Sequence, residues 1–204
     1  MTQNIEQMIR ECNTCQRFQR ANSIEPLLKV PLPSLPWQKL GIDFFHFSGQ
    51  TYPFVIDYFS KYVEIQLMNT TTSHAVVKAP KKIYAQFGIP FEVVTDNGPP
   101  LDSEAFAQFS KDWDVVHTTS SPCYPKSNGQ VERCVQTVKN TLRKAIVDGQ
   151  DVDLAIMNYR ATPSNHLSAP PDMLMGRKIR TLVPTYPALL KLAYPTRNHC
   201  LRYR

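Results

Sequence analysis

The chain has 204 residues, 42% of them apolar and 20% charged, enough for a packed domain with extensions and too apolar for wholesale disorder. No run approaches the ~18 apolar residues of a membrane span, and no apolar stretch near Met1 resembles a signal peptide. Basic residues outnumber acids 23 to 17, and the excess sits late in the chain: from Arg160 to Arg204 eight Lys and Arg face Asp172 alone, which points to a polyanion such as nucleic acid or to a solvated tail.

In chain order, residues 1–24 read as a polar helical segment, with Ile5, Met8, Ile9 and Cys12 at helical spacing. The five cysteines (12, 15, 123, 134 and 200) are odd in number and scattered, and read as reduced thiols. Cys12-x-x-Cys15 has the spacing of half a zinc site. Pro26, Pro31, Pro33 and Pro36 then exclude a helix or a central strand, so residues 25–36 form an extended linker.

From Trp37 the pattern turns to β. Runs at Leu40–Phe47, Tyr52–Tyr58 and Tyr62–Leu67 predict three strands, parted at hairpin distances by Ser48-Gly49 and Ser60-Lys61. Thr70 to Phe87 predicts a helix stopped by Gly88 and Pro90, with Pro80 expected to kink it or to mark a later start. Phe91–Thr95 is a fourth strand, Ser103–Trp113 a short amphipathic helix and Val115–Thr118 a fifth strand. The turn-rich stretch Ser120–Gly129 leads into a long helix from about Gln130 to Val147. Asp151–Arg160 is a further helix, and a short one fits Asp172–Met175. The order of elements makes an α/β sheet domain.

Three acids fall where such a fold places chemistry. Asp43 lies inside an apolar strand, where a carboxylate faces solvent or needs a partner. Asp96 ends a strand and enters a turn, and Glu132 lies in the first turn of the long helix. Singly, each has an ordinary explanation as strand polar residue, turn former or helix-dipole partner. The 35 residues between Asp96 and Glu132 make the set harder to dismiss.

With that gap, the three acids resemble the acidic triad of retroviral and LTR-retrotransposon integrases. Gly41-Ile-Asp-Phe44, Val55-Ile-Asp-Tyr-Phe-Ser-Lys-Tyr-Val63, Phe87-Gly-Ile-Pro90, Thr95-Asp-Asn-Gly-Pro99 and Tyr124-Pro-Lys-Ser-Asn-Gly-Gln-Val-Glu-Arg133 are similar to gypsy-type integrases, as are Tyr159-Arg-Ala-Thr-Pro163 and Leu174-Met-Gly-Arg177. The resemblance implies a ribonuclease-H-like fold: a mixed five-stranded sheet flanked by helices, with a short helical N-terminal extension. It divides the chain into a partial zinc-domain remnant (1–24), the linker (25–36), a catalytic core (37–163) and a basic C-terminal extension (164–204).

It further implies a Mg²⁺- or Mn²⁺-dependent polynucleotidyl transferase of the D,D-35-E type, with Asp43, Asp96 and Glu132 as catalytic residues holding two ions. The activity would be 3′-end processing and strand transfer of retrotransposon DNA in the nucleus. The partners would be element ends and target DNA, with a homo-oligomer as the active form and no membrane. The family's zinc domain pairs two histidines with a Cys-x-x-Cys. No histidine precedes Cys12, so Cys12 and Cys15 are expected to hold no stable zinc by themselves, and the chain is expected to begin midway through that domain. Leu101 stands where the family usually has an aromatic residue, and Cys123 where a polar or basic one is common. A domesticated or decayed element that binds nucleic acid without catalysis is the alternative, and a generic metal nuclease a more distant one.

The long helix carries two stripes. Val131, Val135, Val138 and Leu142 form an apolar one to pack on the sheet, and Glu132, Gln136, Lys139 and Arg143 form a polar one. The resemblance assigns Lys139 and Arg143 to DNA phosphates, with Asn128 and Gln136 nearer the reacting strand.

Overall fold

Strand β1 (Lys39–Phe47) turns into β2 (Gln50–Asp57) through Ser48 and Gly49, both at positive φ, which suits the twist of a two-residue hairpin. The computed structural model describes residues 7, 8, 11, 12, 33–68, 70, 72–96, 98–120, 129–163 and 168–192. The chain divides into two compact units, Met1–Pro31 and Leu32–Arg204. In the first, residues 7, 8 and 11 are helical, and Gln7 Nε2 donates to Glu11 Oε1 at 3.0 Å.

In the second unit β3 (Val63–Ile65) pairs antiparallel with β2 and is shorter than the sequence pattern predicts. Helix α1 (Ser73–Phe87) follows, then β4 (Glu92–Thr95), α2 (Glu104–Asp112) and β5 (Val116–Thr119). Both β4 and β5 run parallel to β1, which gives a mixed five-stranded sheet of order β3-β2-β1-β4-β5. Among the described residues three more α-helices follow, α3 (Gly129–Val147), α4 (Val152–Ala161) and α5 (Pro170–Met175), and then a 3-10 turn at Pro187–Leu190.

Helix boundaries follow side-chain caps. Thr72 accepts from Ala75 N–H, Ser103 from Phe106 N–H, and Asp151 from the N–H groups of Asp153 and Leu154. Pro80 does not delay α1, which begins at Ser73 and continues through the proline to Phe87. Proline lacks only its own N–H, and the buried residues Val76, Ile83 and Tyr84 on either side hold the helix to the sheet.

Side chains alternate across the sheet, so each strand feeds two cores. Leu40, Ile42, Val55 and Val93 face α1 and α2, packing with Val76, Ile83, Phe106 and Phe109. Leu101 is buried in the same core. Phe45, Phe54, Ile56 and Val94 face α3, whose stripe Val131, Val135, Val138 and Leu142 is buried against them. Asp43 lies between Gly41 and Phe45 on that second face, so the long helix and the first acid share one side of the sheet.

Arg160 departs from the reading that groups it with the tail charges. Its Nε donates to the Val63 carbonyl at 2.8 Å, its guanidinium pairs with Glu64 at 3.0 Å, and it lies over the Tyr62 ring. It fastens α4 to the edge strand. The described part of the extension is apolar as well as basic, with Leu182, Val183 and Tyr186 exposed.

Candidate active site

Strand register brings the first two acids together. In the parallel pair of β1 and β4, Ile42 stands opposite Thr95, so Asp43 and Asp96 are the next residues on neighbouring strands. By alternation from Val94, Asp96 falls on the α3 side, as Asp43 does. The third acid arrives by close approach of the helix. A Cβ on Gly41 would lie 2.6 Å from Val131 Cγ2 and 3.1 Å from the Tyr58 ring, so only glycine admits Val131 there. Glu132 is the residue after Val131, and the notch at Gly41 thereby seats the first turn of α3 beside Asp43.

The electrostatics register this convergence. Burial raises the Asp43 carboxyl above the usual carboxylate range, the backbone N–H of Phe44 at 2.7 Å opposes that, and the negative charges of Asp96 and Glu132 add to it. Lys139 pulls the other way. Its ammonium stands 5.6 Å from the centroid of the Phe45 ring, which stacks on Tyr52. Asp96 is half-buried and its Oδ1 accepts from Gly98 N–H at 3.3 Å, while Glu132 is exposed.

Gln136 and Arg143 are exposed along the same helix face, and Arg143 donates to Asn140. Asn128 and Cys15 lie outside the described residues. Cys134 is half-buried and burial pushes its thiol up, which disfavours the thiolate and a nucleophilic role.

Among the described residues no three of His, Cys, Asp and Glu stand close enough together to share one ion. The donors nevertheless suit a hard divalent cation in kind, since all three are carboxylates, and Asp43 is raised first by burial and then by the like charges of Asp96 and Glu132, which a cation would offset. The acids lie on the α3 face of β1 and at the end of β4, which are inner strands of the sheet. A cavity of about 370 Å³ bounded by Asn158, Asp172, Lys178 and Thr185 lies elsewhere, and none of the three acids lines it. In it Asp172 Oδ1 is buried with no hydrogen-bond partner among the described residues.

Sequence reasoning passed over three residues that shape this region. Gly41 sits inside a motif but carries its meaning only through the distance to Val131. Asp57, fully buried, accepts from the N–H groups of Phe59 and Ser60 and from Ser60 Oγ at 2.6 Å. His117 bonds Thr95 across 22 residues. The Asp-x-x-Ser spacing of Asp57 and Ser60 is a local turn signal that could have identified the second.

Residues 33–125 match the family model described as an integrase core domain. The chain is 35% identical over 193 residues to an uncharacterized protein of Caenorhabditis elegans, covering 89% of the chain and 15% of the relative. It is 30% identical over 184 residues to the Pol polyprotein of feline endogenous virus ECE1, covering 84% of the chain and 18% of the polyprotein. The chain thus spans under a fifth of these relatives.

Among solved structures, a simian T-cell lymphotropic virus intasome in complex with a phosphatase regulatory subunit aligns at TM-score 0.76 and 21% identity, over 92% of this chain and 71% of that one. The bovine immunodeficiency virus integrase catalytic core aligns at TM-score 0.59 and 20% identity, over 68% and 93%. The HTLV-2 integrase catalytic core in complex with magnesium aligns at TM-score 0.54 and 23% identity, over 69% and 98%. These likenesses establish the ribonuclease-H-like fold, and the relatives include both retroviral and retrotransposon polyproteins.

Proposed function

The chain carries an integrase core domain, and on that premise we propose that it is the catalytic core of a retrotransposon integrase, joining element DNA to target DNA by phosphodiester exchange. What supports this reading is the family match together with the register that sets Asp43 beside Asp96 and the close approach of the first turn of α3 at Gly41. The gypsy-type motifs quoted above favour that branch of the family.

Asp43, Asp96 and Glu132 would hold two Mg²⁺ or Mn²⁺ ions. Bound there, the ions supply electrostatic stabilisation of the attacking and leaving oxygens of an in-line displacement. The protein's own part is orientation. The sheet holds Asp43 in β1 and brings the end of β4, just before Asp96, beside it, and α3 would present Glu132 together with Gln136, Lys139 and Arg143 along the path of the DNA. No side chain acts as nucleophile: water attacks in end processing, and a DNA 3′-hydroxyl attacks in strand transfer. In strand transfer a new phosphodiester forms as one in the target breaks, and the target's 3′-oxygen leaves.

Lys139 has a double task in this reading. It offsets the negative charge at Asp43 and presents a cation to a phosphate of the DNA end, with Arg143 one turn further and Asn128, the residue before Gly129 in sequence, assigned to the same strand. The proposed partners are element ends, target DNA and further copies of the chain. Nuclear placement follows from the location of the target. Among the described residues no helix is long and apolar enough to cross a membrane.

A Mg²⁺ strand-transfer assay with long-terminal-repeat ends tests the proposal, with Asp96→Asn as control. Joined product from the wild type and none from the variant is expected. Salt-sensitive DNA binding with no product under any divalent cation would instead support the alternative, a non-catalytic nucleic-acid-binding descendant.

A further inference from the structure

Asp96 stands one residue past the end of β4, so the sheet alone does not aim its carboxylate. The last rung is made by Thr95, whose carbonyl accepts Ser120 N–H at 2.8 Å. The Thr95 side chain is 0% exposed and has two neighbours: its Oγ1 lies 2.9 Å from the Asp96 carbonyl oxygen and 2.8 Å from His117 Nε2. A threonine hydroxyl has one hydrogen to give. If it goes to the Asp96 carbonyl, the histidine must be the donor, with its proton on Nε2.

His117 is placed for that role. It projects from β5 towards the α1 and α2 side of the sheet, with its ring edge-to-face on Phe106 at 4.9 Å. Both Thr95 and His117 therefore act from the face opposite the three acids. Their only route to Asp96 is its own backbone.

We infer that His117 and Thr95 form a positioning relay, Nε2–H to Oγ1 and Oγ1–H to the Asp96 carbonyl, that fixes the peptide plane beyond β4 and so turns the Asp96 carboxylate towards Asp43. Neither side chain touches DNA or an ion, and both work through Asp96. Their link to metal binding rests on the function proposed above. The relay itself is a property of the metal-free fold. An ordinary buried pair would contribute stability and leave the Asp96 turn unchanged.

The test uses the full chain without metal first. Long-range ¹⁵N–¹H correlations read the His117 tautomer: Nε2–H is expected, and an Nδ1–H ring overturns the relay. In Thr95→Val, exchange of the Gly98 amide, which donates to Asp96 Oδ1, should speed up about tenfold while Val55 and Ile56 stay protected. Unchanged Gly98 exchange in a folded Thr95→Val also overturns it. His117→Phe should match that effect, and the double variant should add nothing to either, because both break one chain of bonds.

Mn²⁺ titration then separates the two ideas. Thr95→Val should weaken binding about tenfold and Thr95→Ser restore it. If Asp96→Asn leaves Mn²⁺ affinity unchanged, the proposed metal site fails, while the tautomer and Gly98 exchange still decide the relay.

Discussion

Two aspartates of the same hairpin, Asp57 and Asp43, show how differently one fold can house a carboxylate. Asp57 ends β2 fully buried and receives three hydrogen bonds from the turn it closes. Asp43 lies in the middle of β1, half-buried, with one short bond from the N–H of its own neighbour and two like charges near it. A carboxylate surrounded by donors lowers the energy of the fold. One facing other carboxylates raises it, and persists where a ligand of opposite charge completes the set.

The largest effect expected from breaking this contrast is on chemistry. Asp43→Asn should lower strand transfer by roughly 10³-fold or more while the chain stays folded. A variant joining DNA ends at the wild-type rate would remove Asp43 from the site. Asp57→Ala should act on the fold, leaving its turn donors unsatisfied at a cost of about 3 kcal/mol, or roughly 6–12 °C in Tm for a chain of this size. Thermal unfolding that barely moves would show that the turn does not depend on its acid.

Gly41→Ala sharpens the comparison, since it disturbs the site through packing alone. The added methyl should displace Val131 and the first turn of α3, costing about 1–3 kcal/mol and about tenfold in strand transfer. Val131→Ala in the same chain should recover part of both losses, and additive losses would contradict the notch.

A smaller effect lies in pH. The Asp43 carboxyl is raised above its ordinary 3.8, so the folded protein holds this proton more tightly than the unfolded chain. The stabilisation is therefore complete at low pH and is lost as pH climbs from 3.8 through the raised value. Without metal, Asp43→Asn should gain ~2 °C in Tm over wild type at neutral pH, and the gap should close in acid. A constant gap would contradict the electrostatic origin. The smallest change is expected for Lys139→Ala, whose slope of log affinity against log salt on DNA should flatten by about 1. An unchanged slope would assign Lys139 to Asp43 and Phe45 alone.

The elements of the fold were legible because their signals are local. Alternation marked the strands, Ser48-Gly49 the hairpin and the valine stripe the buried face of α3. The three acids stood out through motif and spacing, whereas the adjacency of Asp43 and Asp96 is a matter of register that no local pattern contains. Gly41, the His117–Thr95 bond and the anchoring of Arg160 to Val63 and Glu64 are contacts between distant segments, and a charge count placed Arg160 in the tail for that reason. Pro80 does not mark the start of α1, because burial on both sides of it holds the helix from Ser73 onward.

The strand order has a consequence for when the site comes into being. β1, β2 and β3 join through short turns and can pair as soon as they are made, whereas β4 reaches β1 only after all of β2, β3 and α1 have been laid down. Glu132 comes later still, on a helix that must be long enough to bury its valines before it docks. A growing chain thus displays Asp43 early and alone. Asp43, Asp96 and Glu132 come near one another only when nearly the whole domain has left the ribosome, so a partly made copy holds Asp43 without the two charges that surround it in the folded protein.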